Sequence, residues 1–154
     1  MPGIDECLLE AMALPGARGA ALVDWSSGLA LGTVGESPVG DHETTAAETA
    51  ELARAAAEYE SFAAAGPPEP PGRAGRTDQA GQAGRAEQEK QAAAAGPPVE
   101  DLIVTTRSGY HILRFVETSF DSSVFLHLWL DRTDGNLALA RLKLRVLAEG
   151  LVLR

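Results

Sequence analysis

Few residues in this chain invite a chemical reading: three histidines, one cysteine, two tryptophans and a scatter of acids. His42-Glu43-Thr44-Thr45-Ala46 opens like the zinc-binding helix of a metalloprotease, where histidines at i and i+4 present two imidazoles on one helical face. Ala46 stands where the second imidazole is required, so the spacing supplies one ligand instead of two. No Gly-x-x-x-x-Gly-Lys-Ser/Thr loop is present to cradle a phosphate, and Gly32 and Gly35 are too few for a dinucleotide turn. Ser26 and Ser27 sit in a turn but lack the flanking glycines of a nucleophile elbow. His127 lies in an apolar run with no acid or cysteine partner in evidence, and reads as a hydrogen-bonded core or interface histidine before it reads as a ligand or base. Trp25 and Trp129 suit packing anchors better than the walls of a ligand cage. Cys7 falls on an apolar helical stripe as a small hydrophobe, and a single cysteine supports neither a disulfide framework nor a Cys-based zinc site. No catalytic residue, cofactor or metal is therefore expected.

The elements that would carry these residues follow from periodicity. Ile4, Cys7, Leu8, Ala11 and Met12 recur at three and four within a predicted helix over 4–14. Residues 20–25 and 29–34 form a predicted hairpin around Ser26-Ser27-Gly28. Asp41 is a good helix N-cap, with Thr45 and Glu48 spaced like a second start, and the Ala-rich run from Glu43 to Ala65 predicts a long helix. Strands are predicted at 101–106 and 110–116 around Arg107-Ser108-Gly109. Residues 123–130 are apolar on both alternating faces, with Val124, Leu126, Leu128 and Leu130 on one and Phe125, His127 and Trp129 on the other. Such a strand is buried on both sides and central. Thr133 or Asp134 would cap a last helix weighted by Leu137, Leu139, Leu142, Leu144, Val146 and Leu147. Short hairpins imply a mainly antiparallel sheet, in an α+β fold or a three-layer α/β/α sandwich.

Between the two halves, Gly66 to Pro98 contains no Val, Ile, Leu, Met, Phe, Tyr or Trp. Such a segment cannot offset the entropy of ordering, and reads as a flexible low-complexity insertion in a single domain made of 1–65 and 99–154. The net charge of −9 is concentrated: residues 1–60 carry 11 acids against Arg18 and Arg54, while acids and bases balance elsewhere. A chain so charged repels phosphate backbones and attracts a basic protein surface. No run approaches a membrane span, and Asp5 and Glu6 replace the basic flank of a signal peptide, so a cytoplasmic location is expected.

The phrases Gly19-Ala20-Ala21-Leu22-Val23-Asp24-Trp25-Ser26-Ser27-Gly28-Leu29-Ala30-Leu31, Ala46-Ala47-Glu48-Thr49-Ala50-Glu51-Leu52-Ala53 and Asp101-Leu102-Ile103-Val104-Thr105-Thr106, in this order of elements, resemble the roadblock/dynein light-chain domain family. The resemblance covers nearly everything outside 66–98. It implies a five-stranded antiparallel sheet with the long helix on one face and the two terminal helices on the other. It also implies a homodimer joined edge to edge, with the long helices side by side, and in bacteria a small Ras-like GTPase as partner. Carried onto this chain, the dimer edge would be Leu102, Ile103, Val104, Thr105 and Thr106, and the paired helices residues 43–62. An exposed strand with only Asp101 as an edge charge is independently a liability unless it is paired.

Two functions follow from that reading. One is a non-enzymatic GTPase regulator or scaffold whose acidic helix, with Glu51, Arg54 and Glu58, meets a basic patch of the partner. The other is a structural adaptor in a signalling complex, with no effect on nucleotide turnover. A small-molecule sensor is a third reading, but it needs a cavity for which no lining residues are apparent. No arginine is marked as a finger, and Arg54 is equally explained by ion pairing with Glu51 or Glu58.

Overall fold

The computed structural model describes residues 3–63, 99–116 and 123–152. In chain order its elements are α1 (Ile4–Met12), β1 (Ala17–Asp24), β2 (Leu29–Gly35), α2 (His42–Glu58), α3 (Glu60–Ala63), β3 (Asp101–Thr105), β4 (Gly109–Val116), β5 (Val124–Asp131) and α4 (Leu137–Val152). The insertion expected over 66–98 lies outside the described residues.

Helix α2 begins where its cap dictates. The Asp41 carboxylate accepts the backbone N–H of Glu43 at 3.1 Å and the hydroxyl of Thr44 at 2.7 Å, satisfying a donor that the first turn leaves unpaired. Thr45 is not a second start. It lies inside the helix and is buried, with its hydroxyl 2.8 Å from that of Ser37. Ala46, Ala50, Ala53 and Ala56 form the buried face, and their small side chains let the helix lie close on the sheet. The helix ends earlier than the alanine run suggests, because Tyr59 turns extended with ψ 132 and only the single turn of α3 follows.

The strands pair antiparallel throughout, in the order β2-β1-β5-β4-β3. The doubly apolar strand β5 is therefore central. Its Val124, Leu126, Leu128 and Leu130 pack with Leu8 and Ala11 of α1 and with Ala140 and Leu144 of α4. On the opposite face Phe125 joins Ala21, Val23, Leu113 and Phe115 beneath Ala46, Ala50 and Ala53 of α2. The result is three layers, with the long helix on one face and the two terminal helices on the other. Cys7 is buried among the α1 contacts, and burial pushes its thiol above the ordinary range, so it behaves as a hydrophobe.

Boundaries shift where turn chemistry overrides pattern. Helix α1 stops at Met12, and β1 starts three residues before the predicted Ala20 and ends before Trp25. A side chain at Gly19 would collide with the Glu36 carbonyl, which is why a glycine stands inside that strand. Neither Thr133 nor Asp134 caps α4. Those residues lie in a turn closed by the Gly135 N–H on the Asp131 carbonyl, and the cap is Asn136, whose Oδ1 accepts the Leu139 N–H at 3.1 Å.

Candidate functional site: the open sheet edge and the acidic helix

Both edge strands, β2 and β3, are open to solvent, but they are unlike. The pairing of β2 slips at a bulge opposite Leu22 and Val23, and β2 ends on Gly35 at φ 81, which breaks the regular edge. The register of β3 on β4 runs without a shift. In that hairpin the Phe115 N–H reaches the Glu100 carbonyl at 3.0 Å and the Thr106 N–H reaches Gly109 at 2.8 Å. Antiparallel pairing alternates, so Leu102 and Val104 direct their peptide groups at β4 while Asp101, Ile103 and Thr105 turn theirs outward. Ile103 is 38% exposed and Val104 39%, whereas Leu102 is half-buried against the α2-side core. Thr106 lies past the strand. Its N–H is held by Gly109 and its carbonyl accepts from Arg132 at 2.8 Å, so it offers no outward backbone group.

On α2, Glu51 and Glu58 are exposed and Arg54 is half-buried. Neither acid pairs with Arg54. The Arg54 Nη2 donates instead to the carbonyls of Trp25 at 2.8 Å and Ser26 at 3.3 Å. These charge-assisted bonds clamp the β1–β2 turn to the helix and leave the outer acids without a cation from Arg54. The link spans 29 residues and involves backbone acceptors, so nothing in local spacing announces it.

The α2 side of the sheet also holds a row of rings that the sequence did not bring together. His111 Nδ1 lies 3.0 Å from His127 Nε2, and Trp129 lies between the His111 ring and the Arg18 guanidinium, which is 4.2 Å from its centre. Burial, then the neighbouring His111, pushes His127 down to about 3, and burial lowers His111 as well. Both are thus neutral at neutral pH. His127 is a hydrogen-bonded core histidine with His111 as its partner. His42 Nε2 sits 3.0 Å from the Gly35 carbonyl and so ties the start of α2 to the end of β2. The cleft between His42, Thr45, Ala46, His127 and Trp129 has room for about one water, too little for a small-molecule ligand. Trp129 pairs opposite Gly19, and Trp25 follows six residues after Gly19, just past the end of β1. The backbones of the two tryptophans are therefore roughly 20 Å apart, with Trp129 stacked against His111 and Arg18 and Trp25 packed against the α2-side core.

No protein-family model and no curated protein sequence matches this chain. Solved structures do. MglB of Myxococcus xanthus superposes with a TM-score of 0.59 at 16% identity, over 93% of this chain and 80% of that one. The gliding protein MglB of Thermus thermophilus gives 0.59 at 18% identity, over 96% and 84%. A roadblock/LC7 domain from Streptomyces avermitilis gives 0.55 at 15% identity, over 96% and 93%. Among the described residues no helix is long and apolar enough to cross a membrane. The five antiparallel strands, the single long helix on one face and the terminal helices on the other are the arrangement of those proteins, and the chain has the roadblock/LC7 domain fold.

Proposed function

We propose that this chain is a non-enzymatic, homodimeric interaction module that regulates or scaffolds a small Ras-like GTPase in the cytoplasm. The observation that carries the reading is the pairing of a regular, unpaired β3 edge with an acidic α2 face on a roadblock fold. Two copies meeting antiparallel about Ile103 would satisfy the outward peptide groups of Asp101, Ile103 and Thr105, and would cover the exposed Ile103 and Val104 side chains. Symmetry then sets two α2 helices on one side of a continuous sheet and doubles the acidic surface. Glu51 and Glu58 face solvent there, and Arg54 holds the helix in place from beneath. A partner of this kind needs no catalytic side chain, since ordering a GTPase's own switch loops is enough to change its turnover.

Glu51→Lys and Glu58→Lys are each expected to weaken binding of a cognate Ras-like GTPase about three- to fivefold at low salt, mainly through the association rate, and to flatten its salt dependence. Titration calorimetry on the GTPase loaded with a GTP analogue reads the effect. Unchanged affinity in both variants would remove α2 as the binding face. Hydrolysis and exchange assays with the same GTPase separate regulation from a purely structural adaptor, which would leave both rates alone.

A further inference from the structure

The edge strand β3 carries opposite charge at its two ends. Its ladder on β4 runs from the Phe115 N–H on the Glu100 carbonyl to the Thr106 N–H on the Gly109 carbonyl, so it spans 100–106 with Ile103 at its middle. Glu100 and Asp101 make one end acidic. The Asp101 carboxylate is taken by Arg141 at 2.7 Å, whereas Glu100 is exposed and has no ion-pair partner among the described residues. Arg141 feels Glu100 only as a weaker charge behind Asp101. Arg107 and Arg132 make the other end basic. Arg132 donates to the Thr106 carbonyl at 2.8 Å, and Arg107 is exposed, again with no ion-pair partner among the described residues. Within the described fold, then, the side chains of Glu100 and Arg107 are both uncommitted.

Antiparallel pairing of two copies about a two-fold axis at Ile103 brings these ends together. It sets Asp101 opposite Thr105 and Glu100 opposite Thr106 of the second copy, so Arg107 of that copy stands one residue beyond the position facing Glu100, within reach of its long side chain. We propose that Glu100 of each copy pairs with Arg107 of the other, and that these two reciprocal ion pairs set the register of the edge and select a second copy of this chain to occupy it. The inference rests on the edge-dimer reading and adds to it the residues that make the edge specific. The contact is isologous, so one pair entails the other. Parallel addition of a second copy would set Glu100 beside Glu100 and Arg107 beside Arg107. An axis moved to Leu102 would part the two charges, and an axis moved to Val104 would carry Asp101 past Thr105, the last outward-facing residue of the second copy. A foreign strand could cover Ile103 and Val104 equally well, but it would need its own acid and base at this separation to match.

Sedimentation equilibrium on the full chain at roughly 0.05 M salt gives the dimer dissociation constant for wild type, Glu100→Arg, Arg107→Glu and the double exchange. All alter exposed side chains, and circular dichroism checks that each remains folded. Each single variant sets two like-charge contacts in its homodimer and is expected to dimerise about tenfold more weakly than wild type. The double exchange restores both pairs with their signs reversed and recovers the wild-type constant. An equimolar mixture of the two single variants recovers it too, because the heterodimer holds Glu100 against Arg107 at one contact and Arg against Glu at the other. Wild-type affinity in either single variant overturns the proposal, as does a mixture or a double exchange that stays as weak as the single variants. A wild type that is monomeric throughout removes the edge dimer and these pairs with it. A wild type that Val104→Asp dissociates but the charge changes leave alone removes only the pairs.

Discussion

Phe125→Ala is expected to destabilise the fold by about 3–5 kcal/mol, against a total of about 5–15 kcal/mol for a domain of this kind. Phe125 is fully buried at the centre of β5, with its ring centroid 6.4 Å from that of Phe115 in a tilted pair, beneath the alanine face of α2. Alanines from above cannot readily move in to fill the vacated space, because their helix is tied to the rest of the fold by His42 on the Gly35 carbonyl and by Arg54 on the Trp25 carbonyl. The cavity therefore stays open and the full cost is felt. Urea unfolding reads the effect as a midpoint lower by about 2 M, with an unchanged slope. Leu142→Ala, on the exposed side of α4, serves as control and should shift stability by less than about 0.5 kcal/mol. A loss at Phe125 no larger than that control would place the centre of the α2-side core elsewhere.

Acidification should weaken the fold before the carboxylates titrate. When the chain is unfolded His127 takes up a proton near pH 6.5, and when folded only near pH 3, because burial and the adjacent His111 disfavour the cation. Between those values the unfolded chain holds more protons, so stability falls as pH falls. The loss is about 1.4 kcal/mol per unit, or about 2 kcal/mol from pH 6.5 to pH 5. His111, also lowered by burial, adds in the same direction. Unfolding midpoints measured across that interval give the slope, and His127→Leu should remove most of it. An identical slope in the variant would assign the pH response to another group.

Much of this arrangement could be read from residue order. The double apolar pattern of Val124 to Leu130 placed β5 at the centre, and Asp41 located the start of α2. Both signals are local, since a strand buried on two faces must be apolar on both, and a cap must sit within three residues of the donor it serves. What escaped was set by tertiary contact. Residues 17–19 have weak strand propensity, yet they extend β1 because Leu130 and Trp129 pair with them. The helix breaks at Tyr59 with no glycine or proline to announce it. Asn136 rather than Thr133 caps α4 because the turn at Gly135 consumes the residues between. The same holds at the functional surfaces. That β3 is an edge followed from the family resemblance and not from its own residues, and which of them turn their peptide groups outward depends on the bonds at Glu100 and Thr106. The Arg54 clamp, the His111–His127 pair and the Arg18–Trp129 stack join residues far apart in the chain, and no spacing rule connects them.

Light scattering on the wild-type chain and on Val104→Asp tests the edge-joined platform most directly. Val104 is exposed on the regular edge strand, and with Ile103 on the two-fold axis a carboxylate there would stand opposite the apolar Leu102 of the second copy. Edge pairing predicts a wild type of twice the chain mass and a Val104→Asp variant of single mass with an unaltered circular dichroism spectrum. A wild type that remains monomeric at all concentrations, or a Val104→Asp variant that still dimerises, would contradict it.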